Sequence, residues 1–179
     1  MSPRRFTSPG GTYRAPSRSV KGMRFAYDMD LGCYYVDPEV ARVVGEAIGA
    51  LKSAGATVEE VSLPWTRRTA EFWVELWQVF MSGYFGQHLE KFRAKMDPNI
   101  VKLIEAGNKI SATHYKRIEI ERTQQWNSFY PILEKYDAFL CPTMPVPPIG
   151  ADEDDYVYYG EFPDGLYHGV DMTAQFNSL

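Results

Sequence analysis

Hydrolytic chemistry on a side-chain hydroxyl needs a base close enough to take its proton. Ser17, Ser19 and Lys21 stand close together, but in a stretch rich in Ser, Pro, Gly and Arg, whose expected state is a solvated linker. Cys33 and Cys141 would become nucleophiles only with a histidine nearby in space; Cys141 ends an apolar run, which favours a buried, inert thiol. His88, His114 and His168 lack metal-ligand spacing among themselves or with the cysteines, so surface or capping roles and no metal are expected. Asp28 and Asp30 resemble the start of a calcium loop. The later oxygen ligands and the glycine and glutamate at the required steps are missing, so a polar turn is expected. The acidic run Asp152 to Asp155 reads as solvated surface.

These residues must be held by elements, and composition bounds what the elements can be. With 45% hydrophobic and 23% charged residues, the 179-residue chain can build the packed core of one domain. A net charge of −4 disfavours a nucleic-acid partner, which selects for a basic face. The two distant cysteines make no disulfide framework and fit a reduced, cytoplasmic setting. There is no 18-residue apolar run to cross a membrane, so no membrane partner is expected. Residues 1–21 are basic without a following apolar stretch, which reads as a flexible N-terminal arm rather than a secretory signal.

Met23 to Tyr27 predicts a short buried strand, and Asp28 to Tyr35 a loop. Asp37-Pro38 then announces a helix, with Val40, Val43, Val44, Ala47, Ile48 and Leu51 as one stripe and Gly55 as its left-handed stop. Thr57 to Val61 predicts a second strand, parallel to the first because a helix links them. Thr66 to Lys95 predicts a helix with an apolar face wide enough to be buried on more than one side. Asp97-Pro98 opens a short helix ending at Gly107. Ser111 caps a longer one, with Arg122 as the charged intruder in its stripe and Pro131 as a kink or restart. Asp137 to Cys141 predicts a third, short buried strand. The four prolines of Pro142 to Gly150 impose a stiff extended loop. After an aromatic stretch, Tyr156 to Tyr159, the chain reaches Leu179 with no closing helix or strand in the pattern. Three short strands are few for helices this apolar, so partner strands are expected to lie outside this sequence.

The wording and order of five blocks resemble the amidase-signature family. They are VKGMRFAYDMDLGCYYVDPEV (Val20 to Val40), KSAGATVEEVSLP (Lys52 to Pro64), DPNIVKLIEAGNKISATHYKR (Asp97 to Arg117), YDAFLCPTMPVPPIG (Tyr136 to Gly150) and DMTAQFNSL (Asp171 to Leu179). Gln175 stands where that family usually has proline. The resemblance implies an α/β fold, a mixed and largely parallel sheet layered with helices, with residues 22–179 forming the C-terminal portion of the domain. It also implies hydrolysis of a small-molecule carboxylic amide by a Ser–cis-Ser–Lys set, without metal or organic cofactor. The glycine- and serine-rich segment GGSSGG and the lysine before it, which carry that chemistry in the family, do not occur in this sequence. No catalytic residue is therefore assigned here. The chain alone is expected to be inactive, with an N-terminal half encoded separately. The alternatives are a fragment of the related glutamyl-tRNA amidotransferase type, or a non-catalytic partner or remnant of a split or truncated amidase gene. Thr143 and Met144 in the proline loop are the expected substrate-lining residues. Phe176 and Asn177 are expected to serve core packing and a local backbone hydrogen bond.

Overall fold

The computed structural model describes residues 19–153 and 162–179. Most of the proposed arm, and the Asp154 to Tyr159 part of the acidic and aromatic run, fall outside the described residues.

Three parallel strands form the sheet, in the order β2-β1-β3: β1 (Arg24–Tyr27), β2 (Thr57–Glu60) and β3 (Ala138–Leu140). Helix α1 (Pro38–Ser53) connects β1 to β2, as parallel pairing requires. Its start follows the capping pattern, with Asp37 accepting from the Glu39 amide at 2.8 Å and Pro38 in the first turn. Gly55 follows its end at φ 93°. Along the remaining chain lie α2 (Arg67–Phe85), α3 (Leu89–Phe92), α4 (Pro98–Gly107), α5 (Ala112–Lys135) and α6 (Ala174–Asn177).

Side chains alternate across a strand, so the sheet feeds two separate cores. Phe25, Val58, Ala138 and Leu140 pack against Ile48, Val44 and Leu51 of α1. Phe139 faces the other way, toward Phe129 of α5 and Phe176 of α6, whose rings lie 5.2 and 5.8 Å from it. Leu63, Trp65 and Met172 complete that second core.

Several expectations need correction. The helix expected from Thr66 to Lys95 is interrupted after Phe85 by 3-10 turns at Gly86–His88 and Arg93–Lys95, beginning at a residue with weak helix propensity. Pro131 does not restart α5, which runs through it; it and Asn127 are exposed, so the carbonyl it orphans is left to water. Strand β3 is half-buried rather than buried, because it lies at a sheet edge. The end of the sequence does carry a helix, α6. Within α2 only Ala70, Phe72 and Met81 are buried. Its aromatic residues instead stack on one another along the helix, Trp73–Trp77 at 5.9 Å, Trp77–Phe80 at 5.1 Å and Phe80–Tyr84 at 4.4 Å, with Phe80 43% and Tyr84 63% exposed.

Helices α2 and α4 meet at a glycine. A Cβ at Gly107 would lie 2.0 Å from the Gln78 carbonyl oxygen, a distance that forces the backbones apart. Gly107→Ala is expected to lower unfolding free energy by about 1–3 kcal/mol, the usual cost of overpacking, measured as a lower urea midpoint at unchanged slope.

Candidate functional site

In an open α/β sheet, ligands bind beyond the carboxyl ends of the strands. Here that end begins with Asp28, which is buried at 4% exposure. Its Oδ1 accepts from the Leu31 amide at 3.0 Å and its Oδ2 from the Leu63 amide at 2.7 Å. Burial pushes this carboxyl above the usual range, while the backbone donors hold it back. The clasped loop then turns sharply. Leu31 is fully buried at φ 51°, and Gly32 follows at φ 81°, where a Cβ would lie 2.6 Å from the Leu63 carbonyl oxygen.

The turn presents Cys33 to Tyr35 as a short strand edge, and the segment near the end of the sequence docks on it. The Tyr167 amide donates to the Cys33 carbonyl at 2.9 Å, and the Tyr35 amide donates to the Tyr167 carbonyl at 3.0 Å. Tyr34 and Tyr167 meet edge to face at 5.1 Å. Both hydroxyls point at Asp171: Tyr34 donates to Oδ1 at 3.2 Å and Tyr167 to Oδ2 at 3.5 Å. Gln175 Nε2 donates to the Tyr34 oxygen at 2.9 Å, while Gln175 Oε1 is buried without a partner among the described residues. Burial pushes the Asp171 carboxyl up to about 6, and its bonds to the tyrosines and to its own amide only partly oppose this.

Asp171 and Tyr167 line a groove of about 790 Å³. Helix α2 supplies the acidic and basic wall with Arg67, Glu71 and Glu75, and the aromatic wall with Trp73 and Trp77. The N-terminal part of α4 adds Asp97, Asn99, Ile100 and Leu103. Three of the four carboxylates are already engaged. Glu71 pairs with Arg67 at 3.0 Å; Glu75 pairs with Arg68 at 2.9 Å and His114 at 3.2 Å; Asp97 caps α4 through the Asn99 amide at 2.7 Å. Asp171 has no cationic partner among the described residues.

Thr143 and Met144 lie on the exposed loop after β3 and are not among the residues lining this groove. Pro145 anchors that loop by accepting from the Asp37 amide at 2.8 Å. Burial pushes both Cys33 and Cys141 up to about 12, so neither is a thiolate near neutral pH. His168 lies 2.8 Å from Asp164 and stacks between Tyr35 and Phe162, and His114 pairs with Glu75. Lys21 donates its amide to Ser19 Oγ at 3.1 Å in a surface turn, and Ser17 lies outside the described residues. Asp28 and Asp30 act as loop-fixing acceptors, and Phe176 packs in the core. No cluster of three or more potential metal-ligating His, Cys, Asp or Glu residues occurs among the described residues, nor is any helix there long and apolar enough to cross a membrane. Sequence reasoning missed Tyr34, Tyr167 and Asp171 as a group, since only folding brings positions 34 and 171 together. It noted Arg122 as an intruder without a reason. Its guanidinium Nε donates to the Ser178 carbonyl and so ties α5 to the segment that carries α6.

The family model for amidases matches residues 2–178. An acylamidase of Rhodococcus erythropolis is 27% identical over 131 residues, covering 73% of this chain and 28% of the relative. An amidase of Pseudomonas putida is 26% identical over 172 residues, covering 96% and 36%. A glutamyl-tRNA(Gln) amidotransferase subunit from Ligilactobacillus salivarius is 28% identical over 163 residues, covering 75% and 33%. Among solved structures, a bacterial aryl acylamidase of the amidase signature enzymes superposes with a TM-score of 0.75 at 19% identity, over 90% of this chain and 36% of that one. The chain thus spans about a third of the length of the curated relatives it matches.

The raised Asp171 carboxyl has a stability consequence. An unfolded chain releases this proton near pH 4, whereas the folded chain keeps it to about 6. Between those values the folded state binds more protons, so rising pH weakens folding and the loss is complete above about pH 6. Asp171→Asn is expected to remove that dependence and to raise stability at neutral pH by up to roughly 2–3 kcal/mol, read as the difference between wild-type and variant denaturation midpoints across pH 4 to 7.

Proposed function

The chain belongs to the amidase family, and we propose that it is the C-terminal portion of a hydrolase cleaving carboxylic amides to an acid and an amine or ammonia. The observation that carries this reading is the match of nearly the whole chain to the family model, while GGSSGG and its lysine are not in the sequence. In this reading the nucleophile belongs to polypeptide outside this chain, and the 179 residues act as scaffold and pocket wall. The bare faces support it: Trp126, Tyr130 and Leu133 of α5 are 39%, 44% and 41% exposed, and monomeric surfaces seldom leave such areas contiguous and uncovered.

The chemistry follows the family pattern. A serine Oγ attacks the amide carbonyl carbon, and its proton passes through the second serine to the neutral lysine. Backbone N–H groups of the glycine-rich turn stabilise the oxyanion. Collapse of the tetrahedral intermediate breaks the C–N bond, and the amine leaves with the proton returned through the same relay. Water then attacks the acyl-serine ester by the reverse path, releasing the acid. No step calls for a metal or an organic cofactor. Thr143 and Met144 are assigned to the pocket wall, because their loop leaves the carboxyl end of β3, next to the Asp28 loop. The setting of this reading is the cytoplasm, in keeping with two free thiols among the described residues.

The experiment is to express the chain alone, and again with its upstream coding sequence in every frame, and to assay simple alkyl and aryl amides. Hydrolysis is expected only when the serine-rich segment is present. Ammonia or amine release by the 179-residue chain alone overturns the reading. Activity appearing only with transamidation partners moves it to the amidotransferase branch. Silence with both portions present moves it to a non-catalytic remnant.

A further inference from the structure

We propose that the groove along α2 binds organic ammonium ions with an aromatic or otherwise apolar body, seating the ammonium at Asp171 and the body against Trp73 and Trp77. Charge complementarity selects the occupant. Glu71 and Glu75 are neutralised by arginines and Asp97 is committed to a helix cap, which leaves Asp171 as the groove carboxylate met only by neutral donors among the described residues. A carboxylate oxygen has room for more than one donor, so a primary ammonium can bind without displacing Tyr34 or Tyr167. Arg67 lies 5.9 Å from the centroid of the buried Tyr167 ring. Arg67, beside Tyr167, and Trp73 are six residues apart on α2, about 9 Å along the helix, which matches the reach of a phenylalkylamine. A carboxylic acid of the same shape would meet repulsion at the same place.

Asp171 is half-buried without a cationic partner among the described residues, and burial raises its proton affinity, a cost that an ammonium ligand would relieve.

The test titrates 4-phenylbutylamine, 4-phenylbutanol and 4-phenylbutyrate into the 179-residue chain near neutral pH. Binding is followed by calorimetry and by the fluorescence of Trp73 and Trp77. The amine is expected to bind at least about tenfold more tightly than the acid or the alcohol, as a charge-assisted hydrogen bond provides. Asp171→Asn should remove the preference while melting no lower than wild type. Trp73→Ala, on the groove wall within reach of the phenyl group, should weaken all three ligands together. Equal affinity for amine and acid, a preference that survives Asp171→Asn, or no saturable amine binding overturns the proposal. Because the readout is binding without turnover, this outcome is independent of whether the amide-hydrolase reading holds.

Discussion

A buried carboxylate that accepts backbone N–H groups from two distant segments fixes their separation within hydrogen-bond tolerance, which apolar packing alone does less sharply. Asp28 does this between the loop after β1 and Leu63 after β2. The clasp holds Leu31 and Gly32 in left-handed conformations, and those in turn aim Cys33 to Tyr35 at the Tyr167 segment. Tyr34 and Tyr167 then carry Asp171 to the groove. Each link is short, and none tolerates a free side-chain rotation. Removing the carboxylate would therefore leave buried amides unpaired and also disorganise a site whose residues lie as far along the chain as Asp171.

Local physics made much of the framework readable. Three helix starts, at Asp37, Asp97 and Ser111, each announced themselves by a short polar acceptor, and each side chain does accept from the first turn of its helix. The parallel pairing of β1 and β2 followed from the helix between them. The proline loop after Cys141 is irregular, as its missing donors require. These inferences depend on residues within a few positions of one another, where sequence spacing is spatial spacing.

Tertiary features were less legible, and for a common reason. The wide apolar face of α2 read as burial on several sides, but amphipathic width measures what a helix can bury and says nothing of what is present to cover it. Asp28 looked like a generic turn residue, because its partner at Leu63 lies beyond a whole βαβ unit. In sequence Asp171 stands out only as the first residue of a family block. Its significance comes from Tyr34, and neither residue signals the other in sequence. Arg122 broke a helical stripe for a reason visible only once the Ser178 carbonyl is placed beneath it.

Two kinds of unmet demand remain in the described structure, and they call for different partners. The aromatic faces of α2 and α5 need area, and any well-shaped apolar surface can provide it, since hydrophobic attraction is not directional. The sheet edge at β3 needs backbone donors and acceptors, which another strand supplies. Under the proposed reading, both demands suit polypeptide outside this chain, which spans about a third of the relatives' length. Asp171 differs in kind. Covering it with apolar atoms would deepen the desolvation that already raises its proton affinity, and pairing it with a strand would offer neutral donors of the sort it already has. A positive charge meets that need directly. Arg67, the cation on the groove wall nearest Tyr167, is held by Glu71 instead. The same groove thus has a wall that protein could cover and a carboxylate that a cationic ligand suits best.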